Sequence, residues 1–214
     1  SPFSMNKEIL LPAEFYDRKT EEVAVDLLGK ILVRKVDGRK LFGKIVEVEA
    51  YLGEHDKAAH AAAGKTERTK VLYGPSGNSY VFRLRAYHCL NVVAEPENFP
   101  GCVLIRALEP LNHYDYLKEN RGKDSDFMIE ELCNGPGKLC QAFKIDLKQY
   151  GSDLRSLNSE LYIIEPEEIV SFDVLVTKRI GITKHADWEQ RYTILGNAHI
   201  SGDKKANLGR ILER

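Results

Sequence analysis

Residues 31–52, ILVRKVDGRKLFGKIVEVEAYL, predict the central hairpin of a β-sheet. Two runs rich in β-branched residues flank Asp37-Gly38, and this dipeptide favours a tight two-residue hairpin because both residues tolerate positive φ. Alternate side chains of a strand share one face. The second run therefore predicts a core face with Val46, Val48, Ala50 and Leu52 and an opposite face with Ile45, Glu47, Glu49 and Tyr51.

Strand and helix patterns follow this hairpin without regular alternation. A helix is expected from Thr20, whose hydroxyl could cap free N–H groups, to Gly29. Further strands are expected at 79–93, 101–110, 160–165, 172–183 and 191–196, and further helices at 111–120 and 126–133. This order argues against a doubly wound parallel sheet. It predicts a single α+β domain with a largely antiparallel sheet.

Composition limits the classes of function. The chain has 214 residues and a net charge of −1, so it lacks the overall basic character of many nucleic-acid binders, although a local basic face remains open. No apolar run approaches the roughly 20 residues that a membrane-spanning helix needs. Four cysteines match no zinc or redox spacing and are expected to be buried, reduced thiols. Residues 1–4 are interpreted as a cloning remnant and residues 5–214 as one cytoplasmic domain without a targeting signal.

On pattern alone, the face that carries Glu47 and Glu49 has two interpretations. It is either a solvated strand face or part of a catalytic site, and the period of the strand does not choose between the two glutamates. His60, taken alone, is more typical of a structural histidine than of a functional one.

Residues 43–69, GKIVEVEAYLGEHDKAAHAAAGKTERT, resemble the core motif of the alkyladenine (3-methyladenine) DNA glycosylase family. That family is written around V-E-x-E-A-Y-L-G, a D-x-A-x-H element and a basic segment. The resemblance continues in YHCLNVV, CVLIRALEPL and ELCNGPGKLCQAF, and more weakly in RIGITKHADWEQRYTILGNAHIS. It covers residues 8–203, with several separated motifs in the same order.

The resemblance implies a fold, an activity and a partner. The fold would be a curved, largely antiparallel sheet flanked by helices, with a protruding β-hairpin that contacts DNA. The activity would be that of a monofunctional DNA glycosylase of base excision repair. It would flip out 3-methyladenine and 7-methylguanine, with deaminated and etheno purines as further candidates, and leave an abasic site. The partner would be double-stranded DNA with damaged purines, bound by a monomer without metal, nucleotide or other cofactor.

The resemblance also assigns roles to catalytic residues. Glu49 would be the general base for the attacking water, and Arg106 would position this water and a nearby phosphate. Glu47 receives no role and is expected to be structural or solvated.

A second set of residues would form the base pocket. Tyr51 and His60 would stack on opposite sides of the flipped purine, and the backbone around Ala58 and His60 would read its edge. Asn91 would crowd the exocyclic amine of guanine, and Phe82 would replace a family tyrosine. Without the resemblance, Asn91 would be interpreted as a polar residue at a strand end and Arg106 as a surface cation.

The segment from Tyr80 to His88, YVFRLRAYH, departs from the family hairpin Y-V-Y-x-x-Y-G-M-Y because it is one residue shorter and lacks the wedge tyrosine. Leu84, or one of Arg83 and Arg85, is the expected replacement, since a stiff apolar wedge also unstacks bases. Lys138, beside a Gly-Pro turn, is a candidate phosphate contact. Two alternatives stay open: a damaged-DNA-binding protein with weak or lost excision, and an enzyme that acts on a small metabolite through Glu49 and Arg106.

Overall fold

The computed structural model describes residues 3–214. Within this range nine strands form one sheet, in which every pairing is antiparallel. The strands are β1 (Ile31–Val36), β2 (Arg39–Tyr51), β3 (Ser79–Leu84), β4 (Tyr87–Ala94), β5 (Gly101–Pro110), β6 (Leu161–Ile164), β7 (Val174–Thr177), β8 (Arg191–Ile194) and β9 (Arg210–Ile211). The helices are α1 (Ala13–Tyr16), α2 (Thr20–Leu27), α3 (Tyr114–Asn120) and α4 (Pro136–Ala142). The α+β prediction is confirmed.

The hairpin between β1 and β2 forms at Asp37-Gly38, as predicted. Both residues have positive φ, 50° and 70°, and Val36 pairs directly with Arg39. These two dihedrals are those of a two-residue turn whose twist matches the flanking strands.

Strand β2 organises the sheet because it is long enough to contact three other strands. One edge pairs with β5 from Gly43 to Tyr51, and the other edge pairs first with β1 and then, at Glu47–Glu49, with β8. A register irregularity lies around Val46, since Ile45 faces Leu108 while Glu47 faces Ala107. As a result Ile45 and Val46 both enter the core, and the prediction that Ile45 shares the glutamate face is wrong.

The main core lies on one face of this sheet. Val48 and Ala50 of β2 pack there with Val103 and Ile105 of β5 and with buried residues of α2, α3 and α4. Strand alternation sends the intervening side chains to the opposite face, where a smaller cluster forms around Tyr80, Val93 and Cys102. Both faces of β2 are therefore covered, which explains why a run with two glutamates is buried throughout residues 45–50.

Two helix predictions need correction. Residues 126–133 form only a 3₁₀ turn at Ile129–Glu131, and the next helix begins at Pro136, a residue that suits the first helical turn because it lacks an N–H. Thr20 does begin α2, but its hydroxyl donates to the carboxylate of Glu95 instead of capping the helix. The backbone N–H of Thr20 also donates to the Glu95 carboxylate, at 3.2 Å. A residue far along the chain therefore provides a hydrogen-bond partner for the free N–H group at this helix end.

The segment 79–93 contains two strands, β3 and β4, joined by a tight turn at residues 85–86. Strand β4 then pairs with β5 across the polar loop, as expected. All four cysteines are buried and free. Among residues 3–214, no helix combines the length and apolar character required to cross a bilayer.

Candidate active site

A cavity of about 420 Å³ opens on the face of the sheet opposite the main core. Its walls are formed by strand side chains of β2 to β5, the loop after β2, the start of α4 and the loop after β7. Its lining consists of Tyr51, Ala58, His60, Tyr80, Phe82, Leu84, Cys89, Asn91, Cys102, Leu104, Arg106, Pro136, Ile180, Gly181 and Ile182. All five residues predicted for the base pocket, together with Arg106 and Leu84, lie in this lining.

Glu49 is fully buried directly behind this lining. Its Oε1 accepts a hydrogen bond from the Tyr51 hydroxyl at 2.8 Å, and its Oε2 accepts one from the backbone N–H of Ile180 at 2.7 Å. The Nε of Arg106 lies 3.7 Å from the same Oε2. The interpretation of this strand face as solvated is therefore wrong.

Burial raises the pKa of the Glu49 carboxyl above its usual value, although Arg106 and the two hydrogen bonds act in the opposite direction. A carboxylate with a raised pKa is a stronger base, and each carboxylate oxygen has a second lone pair that can accept from a water molecule. The geometry is thus compatible with the role of general base.

The ring of Tyr51, whose hydroxyl binds Glu49, also contacts Arg179, whose guanidinium lies 4.7 Å from the ring centroid. Arg179 also forms a buried ion pair with Asp56 through contacts of 2.6 and 3.1 Å and donates to the carbonyl of Ala50 at 3.0 Å. Asp56 in turn accepts from the N–H of Ala58 at 3.1 Å. This pair therefore fixes both Tyr51, which is predicted to stack on the purine, and the turn that carries the predicted purine-reading backbone.

Sequence reasoning missed the pair between Asp56 and Arg179. Both residues lie in segments that carry the family resemblance, Asp56 in D-x-A-x-H and Arg179 at the start of RIGI, and this was the available signal. Their separation by 123 positions in the chain gives no local pattern that would connect them.

His60 lies in the cavity wall with an environment that keeps it neutral. Its Nδ1 is 2.7 Å from the hydroxyl of Tyr80, and its ring centroid is 4.3 Å from that of Phe82 at an interplanar angle of 62°. Burial, assisted by the charge of Arg68, lowers the pKa of His60 to about 4. A neutral imidazole does not repel a cationic ligand, and Tyr80, which had no predicted role, is the residue that orients it.

Asn91 occupies the middle of β4 and is buried. Its Nδ2 donates to the carbonyl of Tyr80 at 3.2 Å, and its Oδ1 accepts from the Cys102 thiol at 3.7 Å. Asn91 is therefore not a strand-end polar residue, and its amide is held in one orientation at the cavity wall.

Arg106 is buried on β5 and is not the surface cation of the simpler interpretation. Its Nε donates to Oε2 of Glu47 at 2.8 Å. Glu47 is also fully buried and binds Arg191 and Ser201, so it is structural and not solvated. Arg191 and Ser201 are two further site residues that sequence reasoning missed.

The loop from Ile180 to Ile182 closes the cavity on the side of β7 and also had no predicted role. Strand β7 ends at Thr177, well before the end of the predicted strand at 183. The chain leaves the sheet at this point, which allows the Ile180 N–H to turn toward Glu49.

The predicted DNA-contacting residues lie at the mouth of the cavity or near it. Leu84 is 58% exposed and Arg83 and Arg85 are exposed at the tip of the β3–β4 hairpin, where Arg85 adopts a φ of 57°. Lys138 is exposed on α4, which has seven residues, and its Nζ donates to Asn134 at 3.2 Å.

The hairpin and α4 are in close contact. A Cβ built on Gly137 would come within 2.8 Å of the Tyr87 side chain, so only glycine permits this approach. The cavity edge residue Pro136 is therefore held beside the hairpin, and Lys138 is on the same short helix.

The described part of the chain contains no group of three or more histidine, cysteine, aspartate or glutamate side chains arranged to hold a metal ion.

Comparison with known proteins identifies the family. The model of the methylpurine-DNA glycosylase (MPG) family matches residues 14–198. The chain belongs to this family. Membership confirms the predicted resemblance and places the protein among the DNA glycosylases, the hydrolases that cleave N-glycosyl bonds in DNA.

Bacterial relatives agree with the methylpurine-DNA glycosylase assignment. A protein of Clostridium acetobutylicum is 44% identical over 202 residues, which cover 90% of this chain and 97% of the relative. A protein of Chlorobium phaeobacteroides is 43% identical, covering 90% and 96%. A protein of Legionella pneumophila strain Corby is 41% identical, covering 89% and 97%. Each carries the provisional name 3-methyladenine DNA glycosylase.

Proposed function

We propose that the protein excises alkylated purines, above all 3-methyladenine and 7-methylguanine, from double-stranded DNA by water attack. The observation that carries this proposal is the position of Glu49: a buried carboxylate with a raised pKa, held by Tyr51 and Ile180 directly behind an aromatic cavity. Family membership and the names of the relatives support the same substrate class.

The damaged purine enters the cavity after it rotates out of the base stack, at a cost of a few kcal/mol that is smaller for a poorly paired base. In this proposal Tyr51 and His60 contact its two faces, and Phe82 supports the imidazole at 4.3 Å. Aromatic faces attract cations, so a positively charged alkylated purine is favoured. Neutral His60 adds no opposing charge.

The chemical step then uses Glu49 as general base. Glu49 removes a proton from a water molecule whose oxygen bonds to C1′ of the deoxyribose, and the electron pair of the N-glycosidic bond leaves with the purine. The alkylated purine enters the reaction as a cation and departs as a neutral molecule. The carboxylate also offsets the positive charge that develops on the sugar. The product is an abasic site with an intact backbone.

Arg106 would act beside Glu49 by orienting the water and a phosphate oxygen. Its Nε is bound to Glu47, while the side chain reaches the cavity lining. Its positive charge beside Oε2 of Glu49 also favours the ionised form of this carboxylate and opposes the rise in pKa that burial causes.

Neutral lesions such as hypoxanthine and ethenoadenine are poorer substrates in this proposal. Their departure requires a proton donor. His60, with a pKa lowered to about 4, is uncharged near neutral pH and is therefore a weak proton donor. The cavity therefore favours lesions that already carry a positive charge, while Ala58 and Asn91 discriminate among purines at the edge.

Duplex DNA would be engaged by the hairpin tip. Leu84, exposed at the cavity mouth, would enter the base stack in place of the missing tyrosine, and Arg83, Arg85 and Lys138 would contact phosphates. In this proposal residues 5–214 act as one monomeric domain on chromosomal DNA in the cytoplasm, without a cofactor.

The decisive experiment replaces the base. Glu49→Gln should lower release of 3-methyladenine from duplex DNA by about 1,000-fold or more, because the amide can neither take a proton nor stabilise a cation. Binding to modified duplex should persist. Glu54→Gln, an exposed glutamate of the same segment, is the matched control and should leave release unchanged. If the wild-type protein binds modified DNA but releases no base, it is a damage-binding protein and the proposal is wrong.

A further inference from the structure

Glu47, for which the family resemblance supplies no role, is the subject of this inference, and the inference rests on the function proposed above. We infer that Glu47 is a positioning residue, which holds Arg106 away from Glu49 and thereby keeps Glu49 available as a base. Two acids of one strand face would then have different tasks, one to anchor the arginine and one to take the proton.

The contacts of Glu47 are unusually complete for a buried carboxylate. Its Oε2 accepts from Arg106 Nε at 2.8 Å, from Arg191 Nε at 2.9 Å and from the Ser201 hydroxyl at 2.6 Å. Its Oε1 accepts from the Ser201 N–H at 2.6 Å. With both oxygens bound, Glu47 can serve as an anchor but has little capacity to activate water.

Arg106 is shared unequally between the two acids. Its Nε is 2.8 Å from Oε2 of Glu47 but 3.7 Å from Oε2 of Glu49, which is beyond hydrogen-bond length. Its Nη2 donates to the Ser201 hydroxyl at 3.3 Å. The guanidinium is thus tied at two nitrogens on the Glu47 side, and no hydrogen bond to Glu49 competes with a proton from water.

Arg191 completes the anchor from the other side. It is fully buried, and besides Glu47 it binds the hydroxyl of Thr177 at 2.8 Å, the carbonyl of Ser201 at 3.0 Å and the side chain of Asn207 at 2.9 Å. These partners come from β7 and from the C-terminal segment, so Glu47 cannot move toward Arg106 or away from it without disturbing several elements.

The pKa values of the two acids are moved in opposite directions, as this division of tasks requires. Arg106, Arg191 and Ser201 hold the pKa of Glu47 below its usual value against the effect of burial. Burial raises the pKa of Glu49, and the negative charge of Glu47 adds to this rise. Acids whose surroundings move their pKa values apart often have different roles at one site.

The groups that face Glu49 from every packed element can be named. They are Tyr51 and Glu47 on its own strand, Arg106 on β5, Cys89 on β4, Arg191 on β8 and the N–H of Ile180. Tyr51 stays protonated because burial raises its pKa, and burial raises the pKa of Cys89 to about 11. Glu47 is therefore the negative charge whose removal changes the field at Glu49.

Removal of that charge has two effects of the same sign. The repulsion between the two carboxylates disappears, and Arg106, released from its anchor, can approach Glu49. Both effects favour the ionised form of Glu49 and lower its pKa. The stronger ion pair also takes up the second lone pair of Oε2, which could otherwise accept from water, so the rate falls while substrate binding is retained.

The first test measures Glu49 without reliance on activity. In protein labelled with ¹³C at the glutamate side-chain carboxyl carbon, the Glu49 signal is the one absent from Glu49→Gln, and its titration gives the midpoint. We expect a downward shift of about one pH unit in Glu47→Gln. Glu47→Asp, which keeps the charge, should restore most of the wild-type midpoint. Glu160→Gln, which removes the partner of buried Arg34, is the matched control and should change nothing.

The second test follows 3-methyladenine release against pH in single turnovers. In Glu47→Gln the acidic side of the pH–rate profile, where the rate rises as Glu49 loses its proton, should move to lower pH. The maximal rate should fall by roughly 10- to 100-fold. The KM should change little. A merely structural role would lower rate and stability without moving the acidic side of the profile.

The outcomes are separable. An unshifted Glu49 titration in folded Glu47→Gln, or an equal shift in Glu47→Asp, overturns the inference. A wild-type protein without excision activity overturns the proposed function, while the titration still decides whether Glu47 controls Glu49. If Glu47→Gln does not fold, Ser201→Ala removes the hydroxyl that joins Glu47 to Arg106 and keeps all charges. It should then produce a smaller downward shift, and no shift would refute the inference.

Discussion

The cavity floor and the hairpin tip differ in how their functional groups are held. The floor is the buried charged layer behind the cavity lining, where Glu47, Glu49 and Arg191 are fully buried and each has several partners within the fold. At the tip, Leu84 is 58% exposed, and the side chain of exposed Arg83 donates to the neighbouring carbonyl of Arg85 at 2.9 Å. The groups of the floor are thus held by contacts within the fold, whereas the side chains of the tip are open to solvent.

This contrast follows from the physics of each task. Stabilisation of a developing charge requires dipoles and charges that do not reorganise, in a region from which water is excluded. Contact with a polyanion requires cations and apolar groups that remain open to solvent. We therefore expect substitutions on the floor to change stability or chemistry, and substitutions at the tip to change DNA engagement while folding is preserved.

The largest effect on stability should come from the floor. Arg191→Met keeps the volume of a fully buried side chain but leaves the Glu47 carboxylate without one of its two cations, so the free energy of unfolding should fall by about 3–5 kcal/mol. Urea denaturation near neutral pH measures this loss in the free energy of unfolding. Arg210→Met, which breaks an ion pair with a 58% exposed arginine, should cost about 1 kcal/mol or less. Similar losses in both variants would show that the floor is not a cooperative charge cluster.

An intermediate effect is expected at the tip, on duplex DNA alone. Leu84→Ala should lower excision from duplex DNA by about 10-fold, because the wedge that offsets unstacking is lost. Excision from single-stranded DNA should stay near the wild-type rate. Leu157→Ala, another exposed leucine, should leave both rates unchanged. Equal losses on the two substrates would show that Leu84 does not act as a wedge.

The smallest effect concerns phosphate contacts. Lys138→Ala should weaken binding to duplex DNA a few-fold and reduce the slope of log K against log salt concentration by about one. Binding measured by fluorescence anisotropy across a salt series gives this slope. Lys7→Ala, an exposed lysine of the N-terminal segment, serves as the control. An unchanged slope in Lys138→Ala would place this residue outside the DNA interface.

Much of the sheet could be predicted from local rules. The Asp37-Gly38 turn, the helix that begins at Thr20 and the strand that contains Glu49 all follow from turn chemistry and periodicity over a few residues. The prediction of a helix at 126–133 was wrong because Leu132 and Cys133 are buried although their segment is irregular. An apolar pattern alone does not distinguish a buried irregular segment from the buried face of a helix. The predicted orientation of Ile45 was wrong because a β-bulge near this residue interrupts the alternation of side chains between the two faces of the strand.

The site was predictable in part. Ordered motifs along the chain led to Tyr51, His60, Asn91 and Arg106, and the structure brings them to one cavity. No local pattern could pair Asp56 with Arg179 or Glu47 with Ser201, since these contacts join positions 123 and 154 residues apart. Tyr80 was missed for a different reason: the comparison with the family hairpin indicated a pocket role for Phe82 but none for Tyr80.

From the sequence alone follow the strand that carries both glutamates, the family resemblance and the residue types available for chemistry. The strand period did not separate Glu47 from Glu49, because both side chains leave the same face of one strand with the same intrinsic pKa, and the assignment of the base to Glu49 came from the resemblance alone. The physical difference between the two acids arises in the tertiary structure. The fold places two arginines and a serine around Glu47, but a tyrosine, a backbone N–H and an aromatic cavity around Glu49. The pKa values of two identical carboxyl groups are thus moved in opposite directions, because ionisation depends on the charges and the solvent that the fold brings to each one.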